Sequence, residues 1–263
     1  MRALWTAASG MKAQQLNVDT ISNNLANVNT VGFKKQRVEF QDLLYEQLSS
    51  KNIQDGEGRP VNLEIGHGVM PIATLRSFTK GNLEQTNSPL DLAIDGNGFF
   101  TVRDENDNLF YTRDGSFKLS VEDNEARVVT SEGYFVQCDA GDIELGEDVK
   151  DISISPNGLI TVKREGEDEW EEIGQINLAK FANPSGLEAI GGNLYKQTNA
   201  SGEAVEAEEG EGGNIKQGFL ETSNVQVVEE MVKLITAQRA YEINSKSIQT
   251  ADQMLEQANN LRR

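Results

Sequence analysis

The chain has 263 residues, of which 24 are Lys or Arg and 42 are Asp or Glu, for a formal net charge of −18. A surface that acidic repels phosphate backbones and anionic lipid, so nucleic acid and acidic membranes are not expected partners. One cysteine, Cys138, and one histidine, His67, exclude an intramolecular disulfide framework, a thiolate zinc cluster and any mechanism that needs two imidazoles.

The charge is partitioned. Residues 1–48 hold five basic and four acidic side chains and residues 220–263 hold five and six, so the whole −18 falls in residues 49–219. Gly10 and Gly32 are the only glycines in the two ends; the other 22, and all five prolines, lie between them. Glycine and proline punctuate turns and weaken helices. This layout predicts an α+β chain with helical ends around a turn-rich, acidic, mostly antiparallel β middle.

The first end is periodic. Leu4, Met11, Val18 and Leu25 recur every seventh residue, with Ala7, Gln14, Ile21 and Val28 three places behind each. That is the a/d seam of a coiled-coil-like helix over about residues 4–28. A single Arg2 is followed by Trp5, Thr6 and Ser9 where a secretion signal needs an apolar core, so any export is expected to proceed without a cleaved signal. Asn17, Asn23, Asn24, Asn27 and Asn29 crowd the same segment with short amides in place of the usual Glu and Lys. Asn is a mediocre helix former, so such a face points to polar contact with something other than water, or to an Asn-rich turn after Leu25.

Residues 31–85 read as an extended connector. Within it Glu46–Val61 is polar, holds Gly56, Gly58 and Pro60, and shows no period, as a flexible linker would. Beyond it, Leu90–Ala93, Phe99–Arg103, Leu109–Arg113, Ser116–Leu119 and Arg127–Thr130 are β-prone pieces separated by turn signals such as Asp114–Gly115. Ile152–Ser155 and Leu159–Lys163 flank Pro156–Asn157–Gly158 as a hairpin, and Trp170–Phe181 is a further β stretch. Residues 202–213 form an acidic, glycine-rich loop with nothing to bury.

The second helix is expected over about residues 224–261. Val227, Leu234, Tyr241, Ile248 and Leu255 are again seven apart, and Ala237, Asn244, Ala251 and Ala258 make the other half of the seam small, with one amide. Thr222, Ser223 and Asn224 offer cap side chains. Both stripes are satisfied either by a closed hairpin within one molecule or by packing between chains.

Chemistry leaves no mark. Asp104, Asn106 and Asn108 have the spacing of a calcium loop, but Leu109 stands where glycine is required and Gly115 where a bidentate Glu is required. Gly96–Asn97–Gly98 leads into a strand rather than into a phosphate-binding helix. No run approaches the ~20 apolar residues of a membrane span. No catalytic residue, cofactor, metal or membrane insertion is assigned.

Ser22–Asn23–Asn24–Leu25–Ala26–Asn27–Val28–Asn29–Thr30, running into Val31–Gly32–Phe33–Lys34, resembles the N-terminal signature of the flagellar rod and hook axial proteins. Glu221–Thr222–Ser223–Asn224–Val225 and Gln238–Arg239–Ala240–Tyr241–Glu242–Ile243–Asn244–Ser245–Lys246 resemble that family's C-terminal signature, in its rod type. Asp42–Leu43–Leu44–Tyr45, Gly98–Phe99–Phe100 and Tyr111–Thr112–Arg113–Asp114–Gly115–Ser116–Phe117 continue the likeness in family order, and it thins over residues 140–215.

The resemblance implies a non-enzymatic subunit of the bacterial flagellar basal body that polymerises into the distal rod, transmits torque and encloses the export channel. It implies residues 1–30 and 220–263 as a helical polymerisation core, 31–85 as a connector with a rod-type stretch at 46–61, and 86–219 as an outer β domain. Subunit packing would use Leu4, Met11, Val18, Ile21, Leu25, Val227, Leu234, Tyr241, Ile248 and Leu255. Asn17, Asn23, Asn24, Asn27 and Asn244 would supply a polar interface or channel wall, and Leu48 and Ile53 would pin the rod-type stretch against a neighbour. Implied partners are further copies in a helical homopolymer, proximal rod and hook proteins, the envelope bushing rings and an assembly cap, in a structure spanning the periplasm. A proximal rod or hook subunit remains an alternative, as does a glycan-binding or glycan-cutting β domain with helical arms.

Overall fold

The computed structural model describes residues 2–49, 63–122, 125–146, 149–164, 169–206 and 213–260. Ile53 and residues 207–212 of the acidic loop lie outside that set, as does the side chain of Leu48. The chain divides into two compact units, one of residues 1–26, 36–76 and 226–263, the other of residues 27–35 and 77–225.

The first unit holds the helices. α1 spans Arg2–Ala26 and α2 spans Val227–Asn260, and they pack on each other. Strand Gln36–Asp42 pairs antiparallel with Val69–Arg76, with a bulge at Glu39/Phe40, and α1 packs against both. Tyr45–Ser49 pairs with Leu63–Gly66. α1 ends at Ala26, and Thr30 N–H donates to the Asn27 carbonyl in the turn beyond it. Short amides bond their own backbone readily, which favours turns over helix at this point.

The second unit is antiparallel β throughout its described strands. Its main sheet runs in the spatial order Glu188–Gly191, Leu194–Lys196, Leu109–Thr112, Phe100–Arg103, Phe135–Cys138, Glu125–Val129, Lys118–Glu122, with Gly141–Asp142 paired beside Phe135–Cys138. Val149–Ile154, Leu159–Arg164 and Trp170–Gln175 form a three-stranded sheet. The expected hairpin is present, with Gly158 at φ 86° in its turn and Gly158 N–H donating to the Ser155 carbonyl. The long β stretch expected over Trp170–Phe181 is two strands, Trp170–Gln175 and Ala179–Lys180.

Two cores result from strand alternation. Phe100, Val102, Val128, Val136, Ile160 and Val162 belong to one buried cluster, while Phe99, Tyr111, Phe181 and Tyr195 form a second, aromatic one. Successive side chains on a strand point to opposite faces, so adjacent Phe99 and Phe100 serve different clusters. Phe99 meets Phe78, Phe181 and Tyr195 edge-to-face at 5.2, 5.6 and 5.9 Å. Gly115 is required by close approach: a Cβ there would stand 1.7 Å from the Leu92 carbonyl oxygen. Asp107, at φ 62°, and the Asp104 N–H bond to the Asn108 carbonyl make the calcium-like spacing a tight turn.

Candidate assembly interface

α1 and α2 run antiparallel, which two contacts fix. Asn24 Nδ2 donates to Glu230 Oε2 at 3.2 Å, and a Cβ on Gly10 would stand 2.9 Å from Asn244 Nδ2. Fourteen residues, two heptads, separate the two contact points on each helix, so the seams advance in register. Small side chains let the helices approach closely: Ala7, Ala13 and Ala237 are buried, and Gly10 admits the Asn244 amide. The seam is closed within one molecule.

Continuing that register accounts for two of the three large seam residues that remain outside, Tyr241 being the third. Val227 would face residue 27, where α1 has already ended, and Leu255 lies past the partner of Arg2; both are exposed. The last turns of α2 therefore overhang α1 by roughly eight residues, or about 12 Å, with Met254 and Leu255 exposed there.

Sequence periodicity missed a second stripe. Val228, Met231, Val232 and Ile235 are exposed at spacings of three, four and seven residues, one face of the helix, and Ile243 extends it. Val228 is 75% exposed, Ile243 64% and Val232 56%. At ~100° per residue this stripe lies roughly opposite Glu230, Leu234 and Ala237. α2 is thus apolar on two faces, one covered by α1 and one open. The signal lay in Val227–Val228 and Met231–Val232, where paired apolar residues make one seam too narrow to hold both.

The other expected residues divide as follows. Ile21 is buried, and Leu4, Met11, Val18, Leu25, Leu234 and Ile248 are half-buried, all on the two helices. Tyr241 is exposed. Asn24 and Asn244 enter the helix pair, Asn17 is half-buried and Asn23 exposed. Asn27 stands in the turn beyond α1, where its Oδ1 accepts from Thr30 Oγ1. Leu48 lies in strand Tyr45–Ser49. Asn224 does not cap α2, because its amide is engaged elsewhere: Nδ2 donates to the Ser77 carbonyl and Oδ1 accepts from Lys35 N–H. The lone His67 lies in a surface turn, its Nδ1 3.0 Å from the Leu44 carbonyl oxygen.

The second unit contains a charge cluster that no local sequence pattern marks. Glu221 is buried, and its Oε1 accepts from Lys34 Nζ at 2.7 Å and from Gly81 N–H at 2.7 Å. Its Oε2 accepts from Arg113 Nη1 at 3.3 Å, while Lys34 also donates to the Thr79 carbonyl. Burial pulls Lys34 and Arg113 below their usual ranges, and the Glu221 charge opposes that pull without cancelling it. Lys34 and Glu221 are 187 residues apart, beyond the reach of local periodicity.

Among the described residues no group of acidic, His and Cys side chains is arranged to hold a metal, and no helix is long and apolar enough to cross a membrane. A family model described as flagella basal body rod protein matches residues 4–34. The flagellar hook protein FlgE/F/G D1 domain model matches residues 93–162, and the flagellar basal body rod FlgEFG protein C-terminal model matches residues 216–261. The flagellar basal-body rod protein FlgG of Borreliella burgdorferi is 50% identical over 269 residues, covering 100% of this chain and 99% of its own. The FlgG proteins of Caulobacter vibrioides and Bacillus subtilis are 48% and 39% identical, each with full coverage of both chains.

Proposed function

This chain belongs to the flagellar basal-body rod protein family and is a structural subunit of the distal rod; from that premise we propose that α2 is its principal surface for subunit contact. Rod and hook family membership supports polymerisation with other rod and hook proteins in the basal body. The observation that carries the reading is the open stripe Val228, Met231, Val232, Ile235, on a helix whose opposite face is already packed. A monomer gains nothing by presenting such a stripe to water, and burying one large aliphatic side chain is worth about 1.5–3 kcal/mol. Repeated along a polymer, that gain selects the assembled state. The overhang with Met254 and Leu255 meets another copy in the same way.

The finer roles rest on the charge partition and the family resemblance. Helices held by several neighbours make a stiff tube that transmits torque and encloses an export channel; the near-neutral ends support that reading, since an uncharged wall lets cargo slide. Asn17 and Asn23, with Asn27 beyond the helix, supply polar contacts or channel lining. The acidic β middle faces outward in the periplasm, toward the bushing rings and the cap, and the subunit leaves the cytoplasm without a cleaved signal. The stretch 46–61, through Leu48 and Ile53, pins adjacent subunits and straightens the rod; its support is the family resemblance. No catalysis is assigned, since the relatives are rod proteins.

Electron microscopy of the purified full-length protein tests the reading. Tubes or filaments are expected, and their loss in Val232→Asp with helical content unchanged by circular dichroism. Tubes as abundant in the variant as in the parent would remove the stripe from the contact.

A further inference from the structure

The second unit contains a cavity of about 320 Å³ whose lining includes four apolar residues, Phe78, Phe99, Phe181 and Pro184, and two cations, Arg113 and Lys180. No described carboxylate lines it. In a chain of net charge −18, a cation-lined hollow is against the trend.

Arg113 is the informative member. Its side chain is 2% exposed, with Nη1 donating to Glu221 and Nη2 to the Gly96 carbonyl at 2.9 Å, and its guanidinium carbon lies 5.3 Å from the Phe99 ring centroid. Among the described residues Nε finds no acceptor. Glu221 is meanwhile shared with the buried Lys34, so two buried cations divide one buried carboxylate. The excess buried positive charge costs stability unless a further anion comes to rest beside it.

We propose that this cavity is a carboxylate-binding site that takes an acid carried on an apolar body. Arginine recognises carboxylates with charge-assisted hydrogen bonds, and the Phe and Pro walls accept the apolar part. The volume is at the small end of the ~300–1,000 Å³ typical of ligand pockets. It suits one aromatic acid or a single acidic side chain with its neighbour. Two sources carry that chemistry, a free small acid and an acidic side chain of a second copy of this chain; only the second rests on the polymer reading.

The test is isothermal titration of the full-length monomer with 3-phenylpropionate and with its uncharged amide. The acid is expected to bind and the amide to bind at least about tenfold more weakly, a difference of ~1.4 kcal/mol. Lys180→Glu reverses one lining charge without touching Glu221, Lys34 or Arg113, and is expected to weaken the acid by about tenfold or more. Lys196→Glu makes the same change at an exposed position outside the lining and is expected to leave binding unchanged. Absence of binding at millimolar acid, equal binding of the amide, or equal losses in both variants would overturn the proposal. Repeating the titration on polymers assigns the source: exclusion of the acid identifies a neighbour's side chain as the occupant, and uptake identifies a free acid.

Discussion

Asn24 and Glu230, 206 residues apart, form a buried hydrogen bond of 3.2 Å across the helix pair. Asn24 does more than bridge: Nδ2 also donates to the Gln36 carbonyl at 2.8 Å and Oδ1 accepts from Gln36 N–H at 2.9 Å. The side-chain amide thus acts as a strand partner for the first residue of Gln36–Asp42. Lys233 Nζ completes the arrangement with a 2.6 Å bond to Glu230 Oε1.

Replacing Asn24 by Ala leaves a buried carboxylate short of a donor and two backbone groups unmatched. A loss of about 3 kcal/mol is expected, since each unsatisfied buried group costs ~1–3 kcal/mol and such costs overlap. Asn24→Asp should be worse at neutral pH, where two carboxylates would face each other. Thermal loss of the helical circular dichroism signal measures both; parent-like melting of Asn24→Asp would show that the pair is not coupled.

Gly10 separates size from helix propensity. A Cβ would press on Asn244 Nδ2 at 2.9 Å, the far end of a side chain that can turn aside. Gly10→Ala also gains about 1 kcal/mol of propensity, so it should be near neutral. Gly10→Leu has no such escape and should destabilise the helix pair by about 1–3 kcal/mol. Equal melting temperatures for the two variants would place Asn244 away from Gly10.

The charge cluster predicts an order of effects. Glu221→Gln strands two buried cations and should cost about 3–5 kcal/mol. Lys34→Met should cost less, because Arg113 remains to pair Glu221. The depressed Lys34 makes the parent gain stability as pH rises from that lowered value toward 10.5, where the unfolded chain holds more protons than the folded one. Denaturant unfolding followed through the β signal checks the order and the slope; a larger loss in Lys34→Met than in Glu221→Gln would contradict it.

Much of this was legible. Heptads at Leu4 to Leu25 and at Leu234 to Ile248 located both helices, and Gly-bearing turns located the antiparallel β middle, because each pattern is local. Asn24 is one of several amides in its segment, and nothing adjacent marks it as the partner of Gln36 and Glu230. Lys34, Arg113 and Glu221 lay inside recognised blocks without a role, since their meeting depends on tertiary folding. The second stripe of α2 is present in the sequence, beside a strict sevenfold repeat that marks one face only.

Acid should expose a local weak point. Lys216 and Lys80 both bond Asp95 and hold its carboxyl down at about 2, against an ordinary 3.8. A depressed carboxylate stabilises the fold fully above its unfolded value and loses that contribution as pH falls from 3.8 toward 2. Asp95→Asn should therefore flatten the acid limb of the stability profile over that window. An unchanged acid limb would assign the loss to other carboxylates.

Helical reconstruction of the assembled polymer by electron cryomicroscopy tests the central claim directly. The account predicts Val228, Met231, Val232 and Ile235 covered by another copy, with the α1–α2 seam still closed within each subunit. A reconstruction with that stripe facing open solvent, or with the seam shared between chains, would contradict it.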